Sequence, residues 1–415
     1  MSESVDPPIS PNIETSEVRP RTSPAVWLLG LAAFLLLTSF VFIEPTMHWL
    51  LHGVHDLRMT FRHPNWPEII EQTCLQMITL LWFFMLGGSF GSFLHCLEYR
   101  VPRGISIAEQ GSSCPGCHTK IKAWHNVPVF GWLLLRGRCA ACGWSIPVRY
   151  PLAELVFGSV FVALLAVELI GGGCNLPLVF AVQRVGVSET IWFPRWNLIG
   201  FYTFHITLLM FLMTWCLFAL DRFRVPRTLV VLGIVIGIVC PLVWPHYYPL
   251  NANGLFNAAN HRLPALLSEL AGLGVGVFLG VLISRNRAEN VYPGDRFAAC
   301  TGSLLVGLFL GWQFAVGTAV IALLFRSIGI LTPSAWYVHR WPVVIWLTLA
   351  TLVQLICWRL LLTFPLWPGN PLLGIGVMLY PLLMMLLSAL LDVLESRATS
   401  QRSLAEHNAS PAPPN

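Results

Sequence analysis

The chain has 415 residues, 55% of them hydrophobic and only 11% charged, with a formal net charge of +5. Such an apolar excess excludes one soluble core wrapped in a solvated skin and points to an all-α, polytopic membrane helix bundle. The net charge says little about partners beyond the lipid bilayer, and no nucleic-acid partner is expected.

In chain order, residues 1–24 are rich in Ser, Pro and Glu and read as a disordered tail. An apolar run at 25–43 follows. Glu44-Pro45-Thr46 after it lacks the small residues of a cleavage site, so the run reads as an anchor and not a signal peptide. Further runs long enough to cross a bilayer lie at 74–97, 151–171, 199–220, 228–244, 263–284, 342–363 and 372–391. Residues 298–330 exceed one crossing and predict a hairpin turning near Gly311-Trp312-Gln313, for about ten crossings in all. Residues 396–415 form a second polar tail, and no internal repeat or Gly-rich phosphate loop is present.

Basic residues set the orientation. Arg100, Arg103, Lys120, Lys122, Arg136, Arg138 and Arg149 crowd one loop, Arg222, Arg224 and Arg227 a second, and Arg285, Arg287 and Arg296 a third. By the positive-inside rule all three are cytoplasmic, as they are when spans are counted from a cytoplasmic N-terminus. Gly171 to Asn197 and Pro245 to Arg262 are then long external loops without a recognisable site.

The first basic loop holds Cys114-Pro115-Gly116-Cys117 and Cys139-Ala140-Ala141-Cys142. Two Cys-x-x-Cys turns at this separation have the spacing of a tetrahedral thiolate zinc site, whose metal can drive loop folding. The alternatives are two disulfides or incidental buried thiols, both disfavoured by a cytoplasmic loop. His118 and His125 lie close enough to replace a sulfur, but four sulfurs need no help. The remaining seven cysteines sit mostly in apolar runs and read as packing residues.

Two carboxylates fall where chemistry at a membrane surface would be expected. Asp221 closes the span 199–220, and Asp295 opens the following hairpin; both are on the side of the cysteine loop. Two carboxyls brought close share a proton, so that the ionised one activates water and the protonated one polarises a carbonyl, as in an aspartic peptidase. The plainer reading makes Asp221 an interfacial ion pair with a neighbouring arginine and Asp295 a helix cap.

Gly91-Ser92-Phe93-Leu94, Arg100-Val101-Pro102, the first cysteine pair, Asn126-Val127-Pro128, Leu135-Arg136-Gly137-Arg138-Cys139, the second pair and Val148-Arg149-Tyr150-Pro151 occur in the order found in type IV prepilin peptidases. The chain resembles that family most densely over residues 87–160, and Gly294-Asp295 with Gly311-Trp312-Gln313 resembles its Gly-x-Gly-Asp segment. The resemblance implies a bacterial cytoplasmic-membrane aspartic endopeptidase that removes the leader of prepilin or pseudopilin substrates. It implies Asp221 and Asp295 as the catalytic pair and structural zinc on Cys114, Cys117, Cys139 and Cys142. Many members also methylate the new N-terminus with S-adenosylmethionine; Arg149 and Glu154 are candidate neighbours of such a cofactor, although Glu154 also suits an interfacial pair with a basic residue.

The expected organisation is a tail at 1–24, two spans with an external loop at 25–97, the zinc-binding loop at 98–150, a membrane peptidase core at 151–330, added spans at 331–395 and a tail at 396–415. This chain departs from the family pattern in four places. Tyr292 stands for the first glycine of Gly-x-Gly-Asp, Phe297 for a lysine, His95 for an asparagine, and Asp221 lies five residues before Pro226 where seven are usual, with Ala219 at the usual position. On a continuous helix two residues turn a side chain by roughly 200 degrees, so either the helix ends early or Asp221 is not the partner. The alternatives are a non-enzymatic descendant that binds or assembles pilin-like proteins, and a transporter using buried carboxylates.

Overall fold

The computed structural model describes residues 66–106, 112–177, 186–243, 262–285, 294–331, 341–365 and scattered positions from 367 to 393. The expected span at 25–43, both tails, the loop at 245–261 and most of the span at 372–391 lie outside the described residues.

Helix α1 (Trp66–Arg100) leads through a 3-10 turn into the cysteine loop, which contains the short helix α2 (Phe130–Leu134). The chain returns in α3 (Arg149–Leu164), whose last residues pass into a π-helical turn, Leu165–Ile170. A short α4 (Gly186–Trp192) precedes α5 (Trp196–Leu220), α6 (Arg227–Val243) and α7 (Arg262–Ile283). Then come α8 (Asp295–Leu310), α9 (Trp312–Leu331) and α10 (Val343–Leu361). No strand occurs among the described residues, only two isolated bridges in the cysteine loop.

Four segments, Ile70–Arg103, Arg149–Ile170, Trp196–Leu220 and Val343–Leu361, are long and apolar enough to cross a membrane, and three shorter apolar helices accompany them. The predicted hairpin is present: α8 stops at Leu310, Gly311 turns with φ 85°, and α9 begins at Trp312.

Glycine lets these helices approach. A Cβ at Gly87 or Gly91 of α1 would meet Phe161 or Phe157 of α3 at 2.7 and 3.0 Å, while Gly158 of α3 lies against Phe84. Gly272, Gly276 and Gly280 recur every fourth residue on α7 and face Gly307, Ser303 and Cys300 of α8, backbone against backbone. In lipid, where apolar side chains gain nothing by leaving an apolar solvent, such close packing drives association. Trp215, Phe218, Phe309, Phe314 and Trp358 fill the interior, while Ile78, Trp82, Val231, Val235 and Val239 face outward, as lipid contact requires.

The interior also holds ionisable groups. His205 Nδ1 lies 2.7 Å from Glu168 Oε1, and Asn175 Nδ2 donates to Glu168 Oε1 and to the Leu355 carbonyl. The Arg359 N–H donates back to the Asn175 carbonyl at 2.9 Å. This cluster ties α10 to the far end of α3 and to α5, so one helix spans from there to the end where Asp295 lies.

Candidate functional site

The two cysteine turns are built alike. Cys114 N–H donates to the Thr119 carbonyl and Cys139 N–H to the Trp144 carbonyl, and each turn is closed by a residue with positive φ, His118 at 57° and Gly143 at 73°. The isolated bridges Ser113–Lys120 and Arg138–Ser145 fall at the same offsets from the first cysteine of each pair. Gly116 of the first turn packs under Trp144 of the second, where a Cβ would meet the ring at 3.1 Å.

All four Sγ atoms lie within 4.8 Å of one another, with Cys114 to Cys142 at 3.8 Å and Cys117 to Cys139 at 4.0 Å. Four thiolates around one tetrahedral ion, at the usual zinc–sulfur bond of about 2.3 Å, stand about 3.8 Å apart. A disulfide requires about 2 Å. The donor set therefore fits a single zinc-sized ion and not two disulfides.

The loop already favours thiolate at two positions. Hydrogen bonds from the Thr119 hydroxyl and backbone lower the Cys117 thiol to about 6. The Cys142 and Ala141 backbone N–H groups lower Cys139. Cys142 is pushed to about 12: the Trp144 backbone pulls it down, but Cys117, burial and the other two sulfurs outweigh that pull. Four thiols crowded this closely cannot all ionise without a cation between them.

The aspartates stand at one end of the bundle. α5 ends at Leu220, Asp221 is its C-cap, and Arg222 takes a left-handed φ of 60°. The Asp221 N–H still bonds the Leu217 carbonyl, so its side chain leaves from the last turn of α5, whereas Ala219, at the family's usual position, is packed inside at 1% exposure. Arg149, at the start of α3, places Nη1 2.9 Å from both Asp221 oxygens.

Asp295 is the first residue of α8 and only 2% exposed. The Val343 N–H, at the N-terminus of α10, donates to both its oxygens at 2.9 and 3.0 Å. Gly294 before it has φ 87°, and a Cβ there would strike the Arg224 side chain at 2.9 Å. That glycine is required twice over, by conformation and by the chain that follows Asp221. The two aspartates therefore share an end of the bundle, but each carboxylate is engaged with a different group.

Two residues beside Asp221 were not singled out as site residues from the sequence. Glu98 is fully buried and faces Asp221, and His95, one helical turn earlier, is 4% exposed and lies against Tyr150 at 4.4 Å between rings. The signal was an acid three residues after a histidine in an otherwise apolar helix end, Leu94-His95-Cys96-Leu97-Glu98. Among the described residues Glu154 pairs with no basic residue; it accepts the Val129 N–H at 2.7 Å and so holds a β-branched residue at φ 61°.

Fold and site together define a multi-pass helical membrane protein with a four-cysteine loop abutting a carboxylate cluster. Residues 85–168 match the family described as the bacterial peptidase A24 N-terminal domain. A prepilin leader peptidase/N-methyltransferase of Myxococcus xanthus is 29% identical over 242 residues, 58% of this chain and 59% of that protein. Proteins of the same name from Klebsiella pneumoniae and Neisseria gonorrhoeae are 35% and 37% identical over 119 and 101 residues, 26% and 19% of this chain. Those matches span 52% and 35% of the two relatives, so less than two thirds of each of the three proteins is covered. No solved structure matches the chain. The resemblance to prepilin peptidases read from the sequence is borne out.

Proposed function

We propose that this chain is a peptidase of the bacterial cytoplasmic membrane that removes the leader from type IV prepilin-like proteins on the cytoplasmic side, with Asp221 and Asp295 as its catalytic carboxylates. The observation that supports this best is the position of both aspartates at one end of a bundle whose α1–α3 unit matches the A24 N-terminal domain. A substrate whose apolar helix lies in the bilayer presents its leader junction at that end. One carboxylate then takes a proton from the attacking water, and the other polarises the peptide carbonyl and passes a proton to the departing amine.

Zinc on Cys114, Cys117, Cys139 and Cys142 is structural in this reading. It fixes the loop between α1 and α3 and so fixes Arg149, which orients Asp221. Methylation by S-adenosylmethionine rests on the relatives' names. Arg149 gives Nη1 to Asp221 and Glu154 accepts the Val129 N–H through one oxygen, so each is already partly committed to the protein.

A second reading, a non-enzymatic protein that binds pilin-like partners, is favoured by the separate engagement of the two carboxylates. Co-expression with a prepilin from the same genome separates the two. Cleavage by the wild type that is lost in both Asp221→Asn and Asp295→Asn supports the peptidase, while an uncut leader with every form leaves the binding role.

A further inference from the structure

Glu98 presents an accounting problem. Its carboxyl is fully buried in the last turn of α1, and neither oxygen accepts a hydrogen bond from a protein donor. The nearest nitrogen, His95 Nδ1, is 3.5 Å away, too far for a strong bond. Arg149 is committed to both oxygens of Asp221. A buried carboxylate without donors is among the costliest arrangements in a protein, and here it would also face a second carboxylate.

A protonated carboxyl resolves this, because a neutral acid carries its own donor and Asp221 is an acceptor within reach. We propose that Glu98 is a neutral carboxylic acid whose O–H donates to Asp221, so that Glu98 and Asp221 form a proton-sharing carboxyl pair held between His95 and Arg149. The sequence pairs Asp221 with Asp295, whereas the structure also sets a carboxyl from a different helix, Glu98, against Asp221. Glu98 acts through Asp221 and is a positioning residue: with Arg149 on one side and the Glu98 O–H on the other, the Asp221 carboxylate has one orientation. The charged or titratable groups facing Glu98 are Asp221, Arg149, Arg103 and His95. The rival arrangement places the proton on His95 and makes Glu98 an ion-pair partner.

The role given to Asp221 rests on the peptidase reading, but the protonation state does not. Infrared difference spectra of the full-length protein in lipid at neutral pH, wild type minus Glu98→Gln, report it directly. The expected result is a protonated-carboxyl carbonyl band that is lost in Glu98→Gln and kept in His95→Gln. A carboxylate band lost in its place, or a protonated band that arises only in His95→Gln, overturns the proposal in favour of the ion pair. Glu98→Gln is isosteric and retains a donor toward Asp221, so folding is preserved and is checked by thermal unfolding. If the wild type cuts no prepilin the peptidase reading fails, and the spectra still decide Glu98.

Discussion

Replacing Val343 with proline removes one N–H and little else. Val343 is the first residue of α10 after Pro342, a position where proline's fixed φ suits the helix and its missing donor costs the helix nothing. Pro342 has ψ 144°, within the range that a following proline demands. What disappears is the N–H that reaches both Asp295 oxygens at 2.9 and 3.0 Å. A hydrogen bond to a charged group contributes roughly 1.5 to 3 kcal/mol. If that energy holds Asp295 in its working orientation, cleavage falls by roughly 10- to 150-fold. Val343→Ala is the control: the valine side chain is fully buried, and alanine loses its methyls but keeps the N–H. Initial rates of prepilin cleavage in native membranes, normalised to folded protein by thermal unfolding, give the comparison. Equal rates for Val343→Pro and Val343→Ala would falsify the claim that α10 positions Asp295.

Four further outcomes test other parts of the structure. Cys114→Ser and Cys139→Ser should each lose about one bound metal ion per chain together with protease resistance of the loop, measured by metal analysis and limited proteolysis. Thiolates bind the metal and protons compete, so affinity should fall as pH is lowered. Through the neutral range Cys142 at least must give up its proton to the metal, and below about 6 Cys117 adds to the slope; a flat affinity between pH 5 and 8, read with a competing chelator, would refute the thiolate assignment. Gly143→Ala, at φ 73° with open space around it, should destabilise the loop by about 1 kcal/mol through backbone strain alone, whereas His118→Gly at φ 57° should be neutral or slightly favourable in chemical unfolding. Gly272→Ala should disrupt the bundle because its Cβ meets the Gly307 backbone, whereas Gly274→Ala, with nothing near it, should raise thermal stability slightly; similar unfolding temperatures would contradict the close packing of α7 on α8.

Features written in short stretches of chain were legible in the sequence. Apolar composition dictates a membrane bundle because lipid leaves a helix no other way to satisfy its backbone. The hairpin at Gly311 and the four thiols could also be read, since a turn residue and a Cys-x-x-Cys spacing act over a few residues. Asp221 and Asp295 could be named from their neighbours, but not their surroundings. Which group meets each carboxylate is decided by contacts distant in sequence, Arg149 to Asp221 across 72 residues and Val343 to Asp295 across 48. Glu98 was passed over for the same reason: an acid at a helix end is an interfacial charge until packing buries it against a second carboxyl. Local sequence sets conformation and solvent preference, whereas the state of a buried charge depends on its neighbours, and only the tertiary structure supplies those.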